Sequence, residues 1–110
     1  MEVKLSVMQI NKLNNWIAFY SDEKKDAKCT GIYAGIKHVL EMFHIYDNVM
    51  FEKPLTVTVE QNTIDELIQR MEENSINALW NLGLASGICW TLELLDILKT
   101  DYSKTDREGF

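Results

Sequence analysis

Cysteine, proline and clustered positive charge are all scarce in this chain, and each scarcity removes a class of protein. Cys29 and Cys89 are the only cysteines and lie far apart. A disulfide scaffold needs a denser set, and a zinc knuckle needs a second Cys or His a few residues away. Each therefore reads as a small apolar residue in a helical pattern, and no metal and no cofactor is expected. Pro54 is the sole proline, so little of the chain is barred from helix. The one concentration of lysines, Lys24, Lys25 and Lys28, is interleaved with Asp22, Glu23 and Asp26. Nucleic-acid binders draw affinity from clustered Lys and Arg that release counterions, so no nucleic-acid partner is expected. No uncharged apolar run is long enough for a bilayer, and Glu2 and Lys4 follow Met1 directly where a signal segment would be apolar. A cytoplasmic protein without a membrane partner is the expectation.

What is present is an ordinary mixture of 110 residues, 46% hydrophobic and 25% charged, with a formal net charge of -6. A chain of this size forms one domain and buries roughly 65% of the surface its unfolded form exposes, which excludes disorder. The acidity is uneven. Residues 1–62 hold 8 acids against 7 bases, whereas residues 63–110 hold 9 acids against 4 bases.

Apolar residues Ile10, Leu13, Trp16, Ile17 and Tyr20 recur at intervals of three and four, and Ser6 with Gln9 has the spacing of a capping box, which predicts a first helix over 6–20. Val3, Leu5 and Val7 alternate with polar residues, so a short strand is an alternative reading of the chain before it. A second helix is predicted over 29–46, stopped by Asp47 and Asn48. Leu55, Val57 and Val59 alternate with Thr56, Thr58 and Glu60 in the most strand-like run of the chain, whose partner is 2–7, 49–52 or another copy. Thr63 and Glu66 form a second capping-box spacing ahead of the stripe Ile64, Leu67, Ile68 and Met71. From 75 to 99 apolar residues spread nearly around the helix, as in a central bundle helix or one covered by a second copy. Residues 100–110 read as a polar, flexible tail. The fold expected is mainly α: a compact bundle of three to four helices with one short strand or hairpin around residues 49–60, dimerised through residues 75–99.

Residues 31–45, GIYAGIKHVLEMFHI, resemble residues 83–97, GLASGICWTLELLDI, with six identities in fifteen positions. Each segment places two glycines one turn apart, Gly31 with Gly35 and Gly83 with Gly87. Glycine within a helix costs about 1 kcal/mol relative to alanine, which is intelligible where another backbone comes close. The two pairs therefore mark close helix crossings, with each other among the candidates.

His38, Glu41 and His44 offer acid, base and ligand groups, but six residues separate the histidines and turn them about 240° apart on a helix, whereas a shared metal needs i and i+4. Glu41 and Glu93 hold equivalent places in the similar segments and would pair as acid and base only if their helices brought them together. Phosphate loops, nucleophile elbows and metal triads are missing, so no enzyme is expected. The expected function is that of a small non-enzymatic protein that binds another protein, as an inhibitor, immunity factor, adaptor or anti-defence protein of the kind bacteriophages and mobile elements encode. The alternative is a ligand-binding or small-molecule-sequestering helical oligomer. Candidate partner- or ligand-binding residues are Tyr33, His38, Glu41, Trp80, Trp90 and Glu93.

Overall fold

In a computed structural model the described residues are 1–22, 26–74 and 78–98. Strand β1 (Glu2–Leu5) leads into helix α1 (Val7–Tyr20), then α2 (Ala27–Met42), a single 3-10 turn at Asn48–Phe51, strand β2 (Leu55–Thr58), and helices α3 (Gln61–Glu73) and α4 (Leu79–Leu94). The sheet is antiparallel with register Glu2↔Thr58, Val3↔Val57, Lys4↔Thr56 and Leu5↔Leu55. Thus β2 pairs with the start of the chain and not with 49–52, which holds the 3-10 turn as far as Phe51 and its left-handed cap at Glu52. Val3 and Leu5 face the core, while Glu2, Lys4, Thr56 and Thr58 face outward. One further rung extends the ladder, with the Met1 amine donating to the Val59 carbonyl at 3.0 Å and the Val59 amide donating to the Met1 carbonyl at 2.7 Å.

Helix α1 has the full capping box: the Gln9 amide donates to Ser6 Oγ, and the Ser6 amide donates to Gln9 Oε1. The second capping-box spacing is not used. Helix α3 starts two residues before Thr63, after Glu60, whose side chain makes no cap bond. Helix α2 begins at Ala27 because the Asp26 side chain accepts from the Cys29 amide at 2.9 Å. It ends at Met42 and does not reach Tyr46, because His44 turns left-handed at φ 60° and a Schellman motif closes the helix there. Residues 63–98 are two helices and not one, and the expected tail at 100–110 lies outside the described residues.

Two halves of the chain repeat one plan of strand, helix, helix. Adding 54 to the first N-cap, Ser6, gives the third, Glu60, and carries the buried pair Ile10 and Leu13 onto the buried pair Ile64 and Leu67. Adding 52 carries α2 (Ala27–Met42) onto α4 (Leu79–Leu94). The helix ends agree in detail. Ile45 donates to the Leu40 carbonyl and Ile97 to the Leu92 carbonyl, each at 2.9 Å, with His44 and Asp96 both left-handed at φ 60°. The sheet obeys the same relation: Val3↔Val57 sits at its centre, with Leu5↔Leu55 on one side and the Met1 to Val59 rung on the other.

The crossing of α2 and α4 joins the halves. A Cβ on Gly31 would run into the Trp80 carbonyl oxygen and lie 2.9 Å from the Leu84 amide nitrogen. Reciprocally, a Cβ on Gly83 would run into the Lys28 carbonyl oxygen and lie 2.9 Å from the Ile32 amide nitrogen. Gly35 and Gly87 face each other, so that a Cβ on either would lie 3.0 Å from the other's Cα. Contacting positions rise together along both helices, so α2 and α4 are parallel, and the reciprocity is that of an approximate two-fold axis along the pair. Around this crossing the core gathers Ile32, Ile36, Val39 and Leu40 from α2, Leu84, Ile88 and Leu92 from α4, and the inward residues of α1, α3 and the sheet. Among the described residues the polar residue buried as a whole is Thr91, whose hydroxyl donates to the Gly87 carbonyl at 2.8 Å.

Candidate functional site

The two-fold relation creates two equivalent grooves, one between α1 and α4 and the other between α3 and α2, and they are filled differently. In the first, the Trp16 and Trp90 rings meet at 6.1 Å and Tyr20 lies 6.2 Å from Trp90. Lys12 reaches over the Trp16 ring at 5.6 Å, and Gln9 Nε2 donates to the Leu94 carbonyl at 2.8 Å. Trp90 is thus half-buried against its own chain, as part of the cover of α4. In the second groove the aromatics are gone. His38 stands at the position equivalent to Trp90, Met42 to Leu94, Arg70 to Trp16 and Glu73 to Phe19. A cleft of about 330 Å³ remains there, lined by His38, Met42, Glu66, Gln69, Arg70 and Glu73.

The chemistry of this cleft follows from its walls. Burial of the His38 ring, with the Arg70 charge adding to it, pushes its pKa below the ordinary 6.5, while Glu41 pulls it up. A neutral imidazole offers one donor and one acceptor. Gln69 Nε2 donates to Glu73 Oε1 at 3.0 Å, which ties those two side chains together. Arg70 takes part in no ion pair among the described residues.

Tyr33, on the neighbouring face of α2, shares a hydroxyl hydrogen bond of 3.3 Å with Tyr46, and Lys37 Nζ lies 6.0 Å and 5.5 Å from the two rings. That hydrogen bond, with burial and nearby negative charge, pushes the Tyr46 phenol up to about 12. Glu41 is exposed and Glu93 half-buried. Six positions beyond Gly35 and Gly87, both have turned about 240° from the crossing, so contact between the helices does not pair the two carboxylates. His44 is exposed in the left-handed cap beyond the helix, so His38, Glu41 and His44 form no shared helical face. Among the described residues no three His, Cys, Asp or Glu side chains gather in a way that holds a metal. Trp80 is 40% exposed in the first turn of α4 beside Leu79. Cys29 and Cys89 are both half-buried thiols.

Sequence reasoning found His38 but missed Arg70, Glu66, Gln69 and Glu73, which read as the solvated side of an amphipathic helix. The available signal was the duplication: aligning α1 with α3 shows Trp16 and Phe19 replaced by Arg70 and Glu73. It also missed the exposed apolar side chains Met8, Met50 and Phe51, which are 80%, 62% and 72% exposed. The 3-10 turn bearing two of them packs on α1, with Asn14 Nδ2 donating to the Val49 carbonyl at 2.8 Å. Among the described residues no helix is long and apolar enough to cross a membrane. No protein-family model, curated protein or solved structure matches this chain.

Proposed function

We propose that this chain is a small non-enzymatic protein that acts by binding another protein, in the manner of an inhibitor, immunity factor, adaptor or phage anti-defence protein. The observation that carries this reading is the exposure of Met8, Met50 and Phe51 on two elements that pack together. Large apolar side chains left in water are a usual ingredient of docking surfaces, where Met and Phe are enriched. The underlying scaffold is fixed: Val49 is fully buried, and Asn14 ties its carbonyl to α1.

The test uses the full chain as bait, beside Met8→Glu and Phe51→Glu variants shown by circular dichroism to keep their helices. A host protein retained by the wild type with saturable affinity, and weakened about a hundredfold by Phe51→Glu, as for an interface hot spot, is the expected result. Retention unchanged by both variants, or no saturable partner, overturns the reading.

A further inference from the structure

We infer that the cleft between α2 and α3 is a binding site for a small zwitterion, a molecule carrying an ammonium and a carboxylate group in the manner of a free α-amino acid. This site is independent of the apolar surface on α1 and the 3-10 turn, and neither reading rests on the other. Its ground is the contrast between two equivalent grooves of one molecule. Where the α1 to α4 groove is closed by Trp16 and Trp90, the α3 to α2 groove has Arg70 and His38 in the same places and stands open by about 330 Å³. If that groove served packing alone, apolar side chains would fill it as they do its counterpart, because an unfilled cleft forfeits dispersion contacts on both walls. Here every aromatic has given way to a group with hydrogen-bonding or charged chemistry.

The charge pattern selects the ligand class. Arg70 lies between Glu66 and Glu73 on α3, at spacings of four and three residues that place all three on one helix face. A lone carboxylate approaching Arg70 meets repulsion from both glutamates, and a lone amine approaching either glutamate meets repulsion from Arg70. A molecule bearing both groups meets Arg70 with its carboxylate and Glu66 with its ammonium and avoids both repulsions. Its carboxylate takes the two parallel N–H donors of the Arg70 guanidinium, and the N–H of neutral His38 is a further donor. Its ammonium donates to Glu66, since Glu73 already accepts from Gln69. The remainder of the molecule lies on Met42 and in the space that two indoles occupy on the other side.

Nuclear magnetic resonance on the full-length chain, labelled at its methionine methyls and histidine rings, tests this with each standard α-amino acid as probe and with butylamine and propionate as single-charge controls. The expected result is that at least one amino acid shifts the Met42 and His38 signals saturably while neither control does. Arg70→Gln and Glu66→Gln, both at exposed positions, are each expected to loosen that affinity about tenfold. The double variant His38→Trp with Arg70→Trp restores the aromatic filling of the other groove, and it is expected to stay folded and to lose the response. Failure of every amino acid to give a saturable shift overturns the proposal. So does equal binding by a single-charge control, unchanged affinity in both glutamine variants, or binding retained by the folded double tryptophan variant.

Discussion

At the scale of single residues, two histidines show how position decides what one side chain does. His44 occupies the left-handed region at the end of α2, where any residue with a Cβ is strained. Its side chain is exposed, so a glycine there removes the strain and nothing else of weight. His44→Gly is expected to raise stability by up to about 1 kcal/mol, offset in part by the greater freedom of glycine in the unfolded chain. Urea denaturation measures it, as an upward shift of the midpoint. His38 behaves differently because it is half-buried, with Arg70, Glu66 and Glu73 facing it from α3 and Glu41 on its own helix. Its folded pKa lies below the unfolded value of 6.5, so the unfolded chain takes up the proton first as pH falls. Stability from this residue is therefore fully present above pH 6.5 and declines as the solution is acidified from there toward the folded pKa. Denaturant midpoints of the wild type are expected to fall more between about pH 7.5 and 5.5 than those of His38→Gln. Equal falls would mean that the ring is as well hydrated folded as unfolded.

Between elements, the crossing of α2 and α4 reverses an ordinary rule. Helix propensity alone makes Gly87→Ala stabilising by about 1 kcal/mol. In this fold the added methyl would strike the Ile32 carbonyl oxygen and lie 3.0 Å from the Gly35 Cα, both of them backbone that no rotamer change can move. The helices must separate, and every contact along the crossing loosens with them. Gly35→Ala and Gly87→Ala are each expected to destabilise by about 3 kcal/mol, or to abolish cooperative unfolding, measured by thermal melts followed by circular dichroism. A stabilised alanine variant would disprove the close approach. The two glycine pairs were legible in the sequence as a cost that needed a reason; the parallel direction was not, because spacing along one helix carries no information on the direction of its neighbour.

For the whole molecule, the repeated strand, helix, helix plan explains why α4 is apolar nearly all round. That pattern fits a central position or cover by a second copy, and the expectation drawn from the sequence is a dimer through residues 75–99. Within the chain, α2 covers the glycine face of α4, α3 packs on it, and Trp16 and Tyr20 of α1 cover Trp90. Among the described residues of α4, Leu79 and Trp80 stay exposed. Two adjacent side chains fall well short of the roughly 800 Å² per partner that a stable interface buries, so static light scattering is expected to give the mass of a monomer. A dimer that Trp80→Glu dissolves would instead assign the start of α4 to self-association.

The sequence by itself determined the helical class, the capping box at Ser6 and Gln9, the strand after Pro54 and the inward stripes Ile10 with Leu13 and Ile64 with Leu67. All of these follow from short-range geometry: periods of 3.6 and 2, and hydrogen bonds spanning three or four residues. Helix ends were read less well. The stop at Met42 depends on the left-handed turn at His44, a residue whose identity does not announce that conformation, and the start at Gln61 needs no side-chain cap. Only the tertiary structure decided the pairing of β2 with β1, the parallel crossing of α2 and α4, and the difference between the filled and the open groove. Those features bring together residues some fifty positions apart in the chain, and their pairing follows from burying apolar area and excluding a Cβ at the crossing, neither of which is encoded in any one segment.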